Sequence, residues 1–138
     1  MKRNKGFTLI ELLVVMGIIA ILAAIALVAV NPGRQFAAAR DTQRRNDVYQ
    51  MVNAVYQYSV ENNGTFPTDI TATPTNIGDG TGSTINLSDD LVPDYIPEIP
   101  SDPSTGTPTD TQYVIFLNGN RVTASATGEL ATTITVTR

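Results

Sequence analysis

Cysteine and histidine are both absent from the 138 residues. The first absence excludes disulfides and thiol nucleophiles; the second removes imidazole general bases, and together they empty the usual zinc ligand sets. Most side-chain chemistry on which enzymes rely goes with them, so a structural role is expected and an enzyme is not. Cations are also scarce in the later part of the chain. From Asn63 to Arg138 nine carboxylates face only Arg121 and Arg138, a balance of −7 within a total of −4. That leaves no footprint for nucleic acid and points to an acidic, solvated outer surface.

What the chain does have is apolar length at one end. Hydrophobic residues make up 42 % of the sequence. Phe7 to Val30 is a run of 24 residues whose one charge is Glu11, preceded by Lys2, Arg3 and Lys5. About 20 apolar residues in a helix suffice to cross a bilayer. A cleaved secretory signal is the competing reading, because the start is basic and Ala24-Ile25-Ala26 mimics a cleavage site ahead of Leu27. Two features oppose it: such signals carry an apolar stretch of only ~7–15 residues, and a carboxylate at a helix centre costs roughly 2.5–3.5 kcal/mol on insertion.

Lys5-Gly6-Phe7-Thr8-Leu9-Ile10-Glu11-Leu12-Leu13-Val14-Val15 resembles the type IV prepilin signature shared by type IV pilins and the pseudopilins of type II secretion and DNA uptake. The resemblance implies cutting by a prepilin peptidase on the cytoplasmic side, between Gly6 and Phe7, and N-methylation of Phe7. Glu11 is then the fifth mature residue, whose carboxylate meets the N-terminal amine of a neighbouring subunit during assembly. The physics of Glu11 points the same way. No Lys or Arg lies within the run, so the nearest cation is the ammonium exposed by that cut. A hydrated or protonated carboxyl near the membrane surface is the alternative. Gly17, Ala20, Ala23, Ala24 and Ala26 let neighbouring helices approach closely, as a bundle in lipid or in a filament core requires.

Asn31-Pro32-Gly33 predicts a hinge, since Pro32 removes the hydrogen bond back to Val28 and Gly33 loosens the backbone. Helical periodicity then returns from Arg34 to Asn62. Val48, Met51, Val52, Val55, Tyr56 and Val60, with Tyr49 beside them, form an apolar stripe opposite Gln50, Asn53, Gln57 and Glu61. Arg40, Arg44 and Arg45 have Asp41 and Asp47 within reach, and a solvated face is the expectation for them. Positive charge flanks both ends of the apolar run, so charge counting leaves the orientation open. The prepilin resemblance implies a cytoplasmic leader with residues 31 to 138 outside.

Asn62-Asn63-Gly64 should end the helix, and Thr65-Phe66-Pro67 leads into a loop. Residues 68 to 90, rich in Thr, Gly, Asn and Asp, read as an exposed connection. Gly78-Asp79-Gly80-Thr81-Gly82 lacks the flanking strand, helix and Gly-Lys-Ser/Thr ending of a phosphate loop. The prolines from Pro93 to Pro103 exclude a central strand or helix there, while Leu91, Tyr95, Ile96 and Ile99 can pin the segment down. This stretch resembles the loop before the sheet in major pseudopilins. Asp89, Asp90, Asp94, Asp102 and Asp110 suit a hard oxygen-liganded cation such as Ca2+ by type, which some pseudopilin heads bind. Their spacing matches no EF-hand, so solvated carboxylates and no cofactor are expected.

Three segments rich in Val, Ile, Thr and Phe close the chain: Gln112 to Leu117, Arg121 to Thr127 and Leu130 to Thr137. Asn118-Gly119 is a strong hairpin signal. The expected fold is α+β, a long N-terminal helix packed on an antiparallel sheet of about three strands, as in pilins. Its parts are a leader at 1–6, a transmembrane or filament-core helix at 7–30, an amphipathic half at 31–62, an extended loop at 63–111 and the sheet at 112–138. The expected function is that of a filament subunit, a major type IV pilin, with a pseudopilin or a minor or DNA-uptake pilin as the alternative. Outside the family stand a secreted binding module and a single-span surface protein. The resemblance implies as partners further copies of the chain, prepilin peptidase, the inner-membrane assembly platform with its ATPase, and the membrane. It implies an inner-membrane precursor and an extracellular or periplasmic filament.

Overall fold

A computed structural model describes residues 6–138. Apart from Gly6, the basic leader expected at 1–6 lies outside the described residues. The chain forms two compact units, one up to Phe36 and one over Ala37–Arg138.

In the first unit, Gly6, Phe7 and Thr8 are non-helical and α1 runs over Leu9–Val30, with no residue buried. An apolar sequence on every side leaves no polar face to orient it, which marks a helix built for lipid or for other helices. It ends at Asn31, in the left-handed region with φ 45. Asparagine tolerates that conformation better than most residues. Helix α2 (Pro32–Glu61) starts one residue later. Proline suits the first helical position because its absent N–H would have no partner there.

The second unit is a sheet laid on α2. The expected apolar stripe is buried at Val48, Met51, Val52 and Val55, but Tyr49 and Val60 are exposed, Val60 at 80 %. The buried face turns instead through Ala54 and Ser59, and continues upstream through Ala37, Asp41, Arg44 and Asp47. Four of the ten buried residues of α2 are therefore polar, and apolar periodicity reveals only the rest. Helix α2 stops at Glu61, where Asn63 (φ 55) and Gly64 (φ 84) turn left-handed and the Gly64 N–H returns to the Ser59 carbonyl at 2.7 Å.

Five strands, where about three were expected, form one sheet among the described residues: β1 (Thr75–Gly78), β2 (Thr84–Ile85), β3 (Asp110–Asn118), β4 (Arg121–Ala126) and β5 (Ile134–Thr137), in the order β2-β1-β3-β4-β5. The expected meander is its β3-β4-β5 part, antiparallel throughout and turned at Asn118 and Gly119, whose φ is 63. Strands β1 and β2, parallel to each other, come from the segment read as an exposed connection. They are too short for an alternation to register, yet Ile77 is fully buried, and Ile70 and Leu87 join the same core. Gly78 ends β1 so close to Thr109 that a Cβ would lie 2.0 Å from its carbonyl oxygen. The glycine-rich run that follows is a turn, in which the Asp79 carboxylate accepts from the Thr81 N–H and hydroxyl at 2.9 and 2.6 Å.

The core joins the α2 stripe to Tyr113, Ile115, Val122, Ala124, Ala126, Ile134 and Val136 of the sheet. A single helical turn, α3 (Ser88–Leu91), follows β2. Leu91 and Ile96 are buried in this core and Tyr95 and Ile99 pack against it, pinning the proline-rich segment as its spacing suggested.

Candidate functional site

Gly6 and Phe7 are exposed, Phe7 at 81 %, and nothing lies within 4 Å of where a Gly6 side chain would begin. Both residues are non-helical and exposed, immediately ahead of a helix. Thr8 caps that helix with extended backbone, and its hydroxyl accepts from the Glu11 N–H at 3.3 Å. Glu11 answers through one oxygen only. Its Oε2 accepts from the Thr8 N–H at 2.9 Å and from the Thr8 hydroxyl at 2.8 Å. The reciprocal pair is a capping box, which satisfies donors that the first helical turn leaves open. Oε1 has no partner among the described residues and remains available to a donor from outside the chain. The capping role of Thr8 has a signal in the sequence, Thr-x-x-Glu before an apolar run.

At the other end of α1, Asn31, Pro32 and Gly33 sit together at the helix break. The Arg34 N–H donates to the Asn31 carbonyl at 3.1 Å and to its side-chain Oδ1 at 3.4 Å, so Asn31 terminates one helix and caps the next.

The second unit holds a charged cluster where a solvated face was expected. Arg44 is 2 % exposed. Its guanidinium reaches Asp102 at 2.5 Å, Asp41 at 2.8 Å and Glu129 at 3.0 Å, and donates to the Ser104 hydroxyl at 2.9 Å. Asp41 also accepts the backbone N–H groups of Glu129, Leu130 and Ala131 at 2.8, 2.8 and 3.1 Å. The Leu130 and Ala131 N–H groups are thereby withheld from the ladder, and β5 begins at Ile134 rather than at Leu130. Arg40 forms a two-pronged pair with Glu129 at 2.7 and 2.6 Å. One turn further along α2, Asp47 accepts the hydroxyl of buried Tyr113 at 2.7 Å.

The charges respond to these surroundings. The Arg44 hydrogen bonds, helped by the Thr105 and Ser104 N–H groups, pull Asp102 from 3.8 down to about 2. Arg40 and then Ser104 hold Glu129 at about 2. The Glu129 N–H leads the donors that keep Asp41 well below the carboxylate range, while Asp102 leads the acceptors that raise Arg44. Burial pushes Asp47 up, against the Tyr113 hydroxyl. The five aspartates weighed for calcium do not gather: Asp102 belongs to Arg44, Asp110 accepts from the Asn76 amide at 3.0 Å, and no metal-holding group of three carboxylates occurs among the described residues. Every buried side-chain nitrogen and oxygen among them has a partner.

A long apolar helix followed by a mostly antiparallel sheet is the layout of the pilin fold. Residues 1–27 match the family model of the prokaryotic N-terminal methylation motif, the signal motif of type IV prepilins and pseudopilins. The chain is therefore pilin-like at its N terminus by motif and through the rest by layout, and α1 is long and apolar enough to cross a membrane, which fits a membrane-anchored precursor. Neither the curated proteins nor the solved structures gave a match to the chain.

Proposed function

We propose that this chain is the structural subunit of a type IV filament, a major pilin, cut between Gly6 and Phe7 by prepilin peptidase and N-methylated on Phe7. The observation that carries the reading is the methylation motif lying on a helix of membrane length with none of its surface buried. Such a helix exchanges lipid for neighbouring copies of itself without uncovering any packed face. The open Oε1 of Glu11 supports its role as the registration charge, since it can take the neighbour's ammonium while Oε2 keeps the cap. The same reading makes Asn31-Pro32-Gly33 the hinge, and assigns the peptidase, the assembly platform and its ATPase as partners. It puts the precursor in the inner membrane with its leader inside and the finished filament outside the cell or in the periplasm.

Mass spectrometry of the mature chain should find N-methyl-Phe7. A start at Leu27 overturns the proposal in favour of a secreted module, and an intact Met1 in favour of a permanent anchor. Glu11→Ala should leave processing unchanged and greatly reduce sheared filaments; normal filament yield overturns the pairing. The packed proline-rich segment favours a second reading, a pseudopilin, whose filament would be counted in the periplasm rather than on the surface.

A further inference from the structure

The junction after α1 contains a cation that the fold does not use. Arg40 and Arg44 are committed to carboxylates, whereas Arg34 is exposed and takes part in no salt bridge among the described residues. Phe36, two positions on, is 64 % exposed. Both lie in the unit that contains the apolar helix.

The helix break fixes the depth at which these residues lie. Pro32 has no N–H to return to the Val28 carbonyl, and the Arg34 N–H turns to Asn31, so the Val30 carbonyl loses its helical donor as well. In hydrocarbon nothing replaces the lost donor, and such a carbonyl is strongly disfavoured. In the headgroup layer water supplies the missing donors. Four residues of rise carry Arg34 roughly 6 Å past Val30, within a headgroup layer about 5–8 Å deep on each side. Phe36 is roughly 3 Å further on, at the outer edge of that layer, and a helical side chain leans back toward the helix N-terminus, which returns the ring to the headgroups.

We propose that Arg34 and Phe36 form an interfacial collar, in which the Arg34 guanidinium binds the phosphate of an anionic phospholipid and the Phe36 ring lies among the headgroups. The collar rests on the reading of α1 as a membrane span. Arginine suits the contact because its planar fork matches two phosphate oxygens. The collar holds the precursor at one depth and favours anionic lipid at the site where it waits.

The chain contains no tryptophan, so single substitutions give unambiguous fluorescence. Full-length Phe36→Trp and, separately, Ile19→Trp are reconstituted in phosphatidylcholine vesicles with and without phosphatidylglycerol, with quenchers attached at the headgroup or deep in the acyl chain. The indole of Phe36→Trp should be quenched best by the headgroup label, with emission shifted further to the blue when phosphatidylglycerol is present. Adding Arg34→Glu should abolish that lipid dependence, and Arg34→Lys should retain part of it. The indole of Ile19→Trp should be quenched best by the deep label. If that deep quenching is seen but the Phe36→Trp emission ignores phosphatidylglycerol, or still responds to it when Arg34→Glu is added, the collar alone is overturned. If the deep label does not reach the indole of Ile19→Trp, the span itself fails and the collar with it.

Discussion

At the scale of single residues the chain places most weight on Arg44. Removing this buried cation leaves Asp102 without its ionic partner, while Glu129 keeps Arg40 and Asp41 keeps its three backbone donors; breaking a buried pair costs about 3–5 kcal/mol. Arg44→Ala should therefore melt the second unit at markedly lower temperature, read by the β signal in circular dichroism of the full chain in detergent. Arg44→Lys should fall between, because it keeps the charge and loses the fork. The same group sets the acid response. Asp102 and Glu129 have depressed folded values, so their stabilisation is complete above the ordinary carboxylate range, about 4. It is lost as pH falls toward about 2. Asp47 acts in the opposite sense: its raised value makes protonation favour the folded chain, which offsets part of the loss. An acid titration should show unfolding below pH ~4, and Arg44→Ala should move that transition upward. An unmoved midpoint would remove Arg44 from the account.

Among the elements, what was legible in the sequence and what was not divides by the distance of the partner. Helix α1 follows from composition, the break at Asn31 from Asn-Pro-Gly, and the β3-β4 turn from Asn118-Gly119, because each is decided by neighbours a few residues away. Thr8 was equally local and was overlooked. Strand β1 has one apolar side chain, Ile77, and owes its place to pairing with β3, more than thirty residues on. Asp41 and Arg44 carry the sequence pattern of a wet helical face and are buried only because Asp102, Glu129 and three backbone N–H groups arrive from far along the chain. Two substitutions test these contacts. Gly78→Ala forces Thr109 aside and should destabilise by about 1–3 kcal/mol, the usual range for overpacking, whereas Gly17→Ala on α1 meets nothing within 4 Å and should leave thermal stability unchanged. Met51→Ala, at a residue 1 % exposed, should cost about 2–5 kcal/mol by chemical denaturation.

For the whole molecule, the two units have opposite surfaces. One is a helix with no buried residue, the other a core with every buried polar side-chain atom satisfied among the described residues. Assembly as proposed above can therefore alter the surroundings of the first without reopening the second. Filament loss in Glu11→Ala should accordingly leave the melting of the Ala37–Arg138 unit unchanged, and a fall in that melting temperature would show that the two units are energetically coupled.

The Arg44 cluster also has a mechanical meaning. On the filament reading proposed above, tension enters each subunit through its N-terminal helix and travels along the backbone of α2. The first side chains it meets with partners far along the chain are Arg40, Asp41 and Arg44, which lie before the apolar core begins at Val48. Load is passed to the loops around Asp102 and Glu129 through short ionic contacts before it reaches the close-packed interior. On that reading the charges ahead of the core take up the pull first.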